Sequence, residues 1–164
     1  MNSLLKLVSI AFAGLTLSNC QPGEAGTNYQ DPTLGEAEYF TLRPDLEEPA
    51  GLTQAVRIGN TIRVSGAVSI DDQGNPTSVG DMKSQLKNVY SDLEKTLRHF
   101  DCTFDDVVVE TVYTTNMDLF KEHADLRASY YKRRYPTGSW LEVKQLDQPE
   151  FLVEIELEAE KKYK

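Results

Sequence analysis

The residues best suited to chemistry in this chain fall in two stretches near its end. The first is "YPTGSWLEV", in which Pro136 to Ser139 form a turn whose backbone N–H groups can grip an anion. The second is "FLVEIELEAE", which carries Glu154 on an alternating apolar segment. If the strands on either side of "LDQPE" lie next to each other, Glu154 stands near the turn, and a carboxylate meets an anion-holding backbone. Other candidates are few. His99 and His123 have no cysteine or carboxylate at metal-ligand spacing, so no metal site is expected. Cys102, in "FDCTFDD", reads as a half-buried structural thiol. The paired aspartates of "DDQGNPTS" lack EF-hand spacing and read as a solvated turn. There is no phosphate-cradling glycine loop and no nucleophile elbow, and no cofactor is implied.

The elements that must position these residues alternate strands with helices. "EYFTLR" reads as a first strand ended by Pro44, and "LEEPAG" as a turn-rich connection. "TQAVRI" and "TIRVSGAVSI" are period-2 segments joined at Gly59-Asn60, a hairpin signal. Met82, Leu86, Val89, Tyr90, Leu93, Leu97 and Phe100 recur at spacings of three and four, which predicts an amphipathic helix. Asp81 at its start and Arg98 and His99 at its end suit the helix dipole. "DDVVVETVYTT" is β-branched and reads as a central strand. A second helix is expected over about Leu119 to Arg134, burying Leu119, Phe120, Leu126, Tyr130 and Tyr131, and stopped by Pro136. "SWLEVKQL" and "EFLVEIELEAE" close the chain as strands. The order β-β-β-α-β-α-β-β is an α+β fold in which two helices cover one face of a six-stranded sheet. The bare face requires a partner, so oligomerisation is expected.

The first residues have a different character. "MNSLLKLVSIAFAGLTLSNC" has one cation at Lys6 and an apolar run from Leu7 to Leu17 that is too short to span a bilayer, the pattern of a secretory signal over residues 1–19. "LSNC" resembles a bacterial lipobox, with Asn19 in place of the usual small residue, which makes Cys20 a lipidation candidate. Its alternatives are a disulfide to Cys102 or a spectator thiol. Residues 20–37 read as a flexible tether, which favours the lipid. The domain proper then spans residues 38–164. The 164-residue chain carries 26 acidic and 17 basic residues, a net charge of −9, and loss of the leader removes one lysine and takes it to −10. That acidity argues against nucleic acid and against binding anionic lipid without a covalent anchor. The expected location is the bacterial envelope, lipid-anchored and facing the periplasm, with a secreted soluble form as the alternative.

Three stretches together resemble the RidA (YjgF) family. "TQAVRIGNTIRVSGAVSID" resembles its Ser-Gln-Ala entry followed by Gly-Asn and Ser-Gly. "VVVETVYTTNMDLF" resembles its strand leading to an Asp-x-Phe helix start. "YPTGSWLEVKQL" followed by "VEIELEA" resembles its Pro-x-Arg-Ser ending and Glu-Ile-Glu strand. The resemblance implies a chorismate-mutase-like α+β fold and a homotrimer with small-molecule clefts between subunits. It also implies cofactor-free hydrolysis of enamines and imines to 2-oxo acids and ammonia. It assigns the water-positioning glutamate to Glu154 and the cleft glycine to Gly66, with Ser139 as the serine of the turn. Other positions depart from the pattern. The carboxylate-binding arginine is Gly138, an aromatic is Leu52, an asparagine is Ala124, and Arg127 stands where a tyrosine is frequent. Loss of a bidentate guanidinium is worth a few kcal/mol, on the order of a hundredfold in transition-state binding. Two readings of the turn follow. Either Gly138 is only a hinge and the cleft binds something without the family hydrolysis, or another arginine, from Arg127, Arg133 and Arg134, supplies the charge and a deaminase remains. The first, a small-molecule-binding protein, is the reading favoured here; a protein that serves a partner in the envelope is a third.

Overall fold

The computed structural model describes residues 36–162. The expected signal, Cys20 and nearly all of the expected tether therefore lie outside the described residues. The fold comprises β1 (Glu38–Phe40), α1 (Pro44–Glu47), β2 (Ala55–Ile58), β3 (Thr61–Ala67), α2 (Met82–His99), β4 (Val107–Thr114), α3 (Met117–Lys121), α4 (Ala124–Ala128), β5 (Thr137–Glu142) and β6 (Val153–Glu160). The six strands form one sheet in the order β1-β2-β3-β6-β4-β5. Only β4 and β5 run parallel. The α3–α4 crossover connects them, as a parallel pair requires.

Local chemistry explains each element. Gly59, at φ 60°, makes the two-residue hairpin in which Ile58 pairs with Thr61. Asp81 is the N-cap of α2, its carboxylate accepting from the Ser84 N–H at 3.0 Å. The apolar stripe of α2 packs on β3 and β6, and Leu86, Val89, Tyr90, Leu93 and Leu97 are fully buried. On β6, Val153, Ile155, Leu157 and Ala159 join that core, while Glu154, Glu156, Glu158 and Glu160 point to the opposite face. No described helix covers that second face.

Several expected boundaries move. Pro44 opens a helical turn instead of only ending β1, since its fixed φ suits the first helical position. Glu47 folds back to accept from the N–H groups of Leu42 and Arg43 at 3.0 and 2.9 Å. The single helix expected up to Arg134 is two short ones that break at Glu122–His123. Pro136 does not stop it, because the helix has already ended at Ala128. Beyond Ala128, Tyr130 stacks on Tyr90 at 4.3 Å and Tyr131 turns its hydroxyl inward to Glu110, contacts that a continuing helix would not make together. β5 begins at Thr137, so the Thr-Gly-Ser segment is strand and not turn.

Candidate functional site

Glu154 lies on the open face of the sheet, opposite Tyr113 of β4. It lines a cleft of about 520 Å³ with Tyr113, Val143, Leu146, Asp147 and Glu156. Burial, and after it the charges of Glu156 and Asp147, push the Glu154 carboxyl above the ordinary glutamate value. Gly66 belongs with it. The register between β3 and β6 shifts between Val64 and Ala67, a bulge that puts Gly66 against the Glu154 side chain. A Cβ at Gly66 would stand 1.8 Å from Glu154 Oε1, so the glycine is the space the carboxylate occupies. These two candidates come together in the folded chain.

Gly138 and Ser139 do not join them within one chain. β5 and β6 are not neighbours, because β6 returns antiparallel between β3 and β4 and leaves β5 at the sheet edge. Glu154 is level with Tyr113 and Leu141, whereas Gly138 pairs with Glu110 three residues away. At about 4.8 Å per strand and 3.3 Å per residue, the two positions are roughly 14 Å apart. The expectation that adjacent strands bring Glu154 to the turn is therefore corrected. The backbone of Thr137 to Ser139 is committed to the ladder with β4, so it does not form a free anion-gripping turn. Gly138 has a packing role that its place in the sequence does not show. A Cβ there would sit 1.7 Å from the Glu110 carbonyl oxygen, and backbone cannot yield as a side-chain tip can.

The same Glu110 organises a buried polar cluster. It is 1 % exposed, in the middle of an apolar strand. Oε1 accepts from Tyr90 Oη at 2.7 Å and Tyr131 Oη at 2.5 Å, and Oε2 accepts from Arg127 Nε at 2.5 Å. A buried carboxylate is tolerable only with such a complement of donors. Burial first, then the Glu110 charge, pushes both tyrosine hydroxyls well up. The Arg127 guanidinium lies 5.2 Å from the Tyr131 ring centre, 5.8 Å from Tyr135 and 5.3 Å from Trp140. Arg127 and Gly138 thus converge on Glu110, one on its side chain and the other on its backbone. Arg133 instead pairs with Asp105 at 3.3 Å on the surface. Sequence reasoning missed Glu110, although a lone carboxylate inside "VVVETVYTT" is the signal that marks a buried polar group needing partners.

The remaining candidates are structural in character. Cys102 is a buried thiol with no disulfide partner among the described residues. His99 stacks on Phe40 at 4.0 Å, and His123 is the N-cap position of α4. Among the described residues no group of three or more His, Cys, Asp or Glu is placed to hold a metal ion.

A family model described as Endoribonuclease L-PSP matches residues 45–161. A RutC family protein of Sulfurisphaera tokodaii is 30 % identical over 109 residues, 66 % of this chain and 86 % of the relative. A human protein named 2-iminobutanoate/2-iminopropanoate deaminase is 25 % identical over 107 residues, 65 % of this chain and 76 % of its own length. Among solved structures, a Mycobacterium tuberculosis member of the YjgF/YER057c/UK114 family superposes with a TM-score of 0.66 at 27 % identity. That match covers 76 % of this chain and 99 % of the other.

Proposed function

This chain belongs to the RidA (YjgF) family, described by its family model as Endoribonuclease L-PSP, and from that premise we propose that it is a small-molecule-binding member without the deaminase activity named for some of its relatives. The observation that carries the reading is Gly138. The family's carboxylate-binding arginine would project from this position, and here the Cβ site is filled by the Glu110 carbonyl. The pairing of Gly66 with Glu154 keeps the other half of the family site, so the cleft is retained while its grip on a 2-imino acid is lost. Ammonia release from 2-iminobutanoate generated in situ tests this: the rate with protein should equal the rate without it, and a clear acceleration refutes the reading.

The proposal includes assembly and location. Three copies would cover the open sheet faces, and Glu154 of one copy would then meet β5 of the next, supplying across the interface what a single chain holds apart. Sedimentation equilibrium should give three times the protomer mass. Cys20 would carry the lipid that holds the trimer to the envelope, the tether spacing it from the membrane. Cys20→Ser should move the protein from the membrane fraction to the soluble one. A protein that pellets with membranes regardless of Cys20 contradicts the anchor.

A further inference from the structure

We infer that Arg127 is a preorganised binding group for a small carboxylate with an aromatic body, held ready by Glu110 and framed by Tyr135 and Trp140. This rests on the binding-protein reading and deepens it by naming a ligand class, and its test reads binding and not imine hydrolysis. The guanidinium is fixed through one edge only. Nε donates to Glu110 Oε2, and among the described residues neither Nη group has a hydrogen-bond or ion-pair partner. The side chain is 11 % exposed and neither unpartnered Nη is fully buried, so the enclosed fork keeps a narrow opening to solvent. Glu110 cannot compete for the fork, since its other oxygen is taken by Tyr90 and Tyr131.

The surroundings specify the ligand. Two free Nη groups in one plane match the two oxygens of a carboxylate, a geometry that lysine cannot offer. Tyr135 and Trp140 flank the guanidinium and are 63 % and 41 % exposed, unusually open for large aromatics. The guanidinium lies over one face of each ring, and the exposed remainder offers a planar apolar group contact beside the charge. A simple aliphatic acid would use the fork and leave the rings bare, whereas an aromatic acid uses both. Tyr131 lies on the inner side, buried and bonded to Glu110, and is part of the support. Glu110 is thus a positioning residue and Arg127 the ligand-contacting one.

Trp140 is the sole tryptophan of the chain, so its fluorescence reports on this site directly. The full chain is titrated with phenylacetate, and with phenylacetamide as the neutral isostere, at constant ionic strength. Phenylacetate should change Trp140 emission saturably, with a dissociation constant on the order of 1 mM. Phenylacetamide should bind at least tenfold more weakly. Arg127→Met should abolish the saturable phase. Tyr135→Ala, at a 63 % exposed position where truncation should cost little stability, should weaken phenylacetate severalfold and leave acetate unaffected, which keeps the test decisive if Arg127→Met folds poorly. A linear, non-saturating response in wild type overturns the inference, as does equal binding of acid and amide or an unchanged affinity in Tyr135→Ala. Neither result depends on imine hydrolysis, so the two readings fail separately.

Discussion

Removing Glu110 should be among the most damaging single changes in this fold. Glu110→Ala deletes the common acceptor of three donors, Tyr90, Tyr131 and Arg127. Hydrogen bonds to a charged group contribute about 1.5–3 kcal/mol each, but bonds sharing one carboxylate are not additive. Part of the loss is offset, because the mutation also removes a buried charge, and Arg127 is open enough to reach water. Tyr90 has no such escape, since it is completely buried. Breaking one partner of a buried pair typically costs about 3–5 kcal/mol, and the net loss here should be about 3–4 kcal/mol. Against a total stability of about 5–15 kcal/mol this is a large share. In urea, with a slope of about 2 kcal/mol/M, the midpoint should fall by about 1.5–2 M. Far-UV circular dichroism at fixed protein concentration follows it without relying on Trp140. Glu110→Gln, which keeps an acceptor oxygen, should lose roughly half as much. Glu110→Leu combined with Arg127→Met should recover part of the loss, because no unpaired charge remains. A Glu110→Ala protein within about 1 kcal/mol of wild type would refute the reasoning.

Two further perturbations address the open face of the sheet. The Glu154 carboxyl is held above its ordinary value of 4.5, so the folded state favours the protonated form; that stabilisation is complete below the unfolded value and is lost as pH rises through the folded one. Glu154→Gln should therefore be more stable than wild type at pH 7.5, with the difference closing as pH falls below about 4, as measured by urea unfolding at each pH; a constant difference at both pH values would contradict it. Gly66→Ala must displace the flexible Glu154 tip, at a cost of about 1 kcal/mol, and the carboxyl titration followed by carbon NMR should move towards the ordinary range, whereas an unmoved titration would mean that Gly66 does not shape this site.

Much of the architecture was legible because hydrophobic period and turn chemistry report directly on the backbone. Gly59-Asn60, the stripe on α2 and the alternation along β6 each specify their element with little help from distant residues. The helix end at Ala128 was not legible, since local pattern there favours continuation to Arg134 and a tertiary contact, Tyr131 on Glu110, holds the chain otherwise. Strand adjacency was hidden for a related reason. Sequence order suggests that β5 and β6 pair, whereas the parallel crossover puts β5 at the edge and leaves the central slot for β6. For the site, Gly66 and Glu154 could be picked out by resemblance, while their contact depends on the bulge between β3 and β6. The position of Gly138 could be read, but its cause could not, because the clash it avoids is with the backbone of a residue 28 positions earlier. Glu110 was visible only as an acidic residue out of place.

The most direct test of the central claim is one ammonia-release assay run on wild type and Gly138→Arg together, with 2-iminobutanoate generated in situ. Wild type should be silent for want of the arginine. Gly138→Arg should be silent too and less stable, because its Cβ meets the Glu110 carbonyl and β5 must leave its register. Activity in wild type would show that another group holds the substrate carboxylate. Activity gained in Gly138→Arg, by the hundredfold or so that a guanidinium grip supplies, would show that β5 can accommodate the side chain and that Gly138 is not fixed by packing.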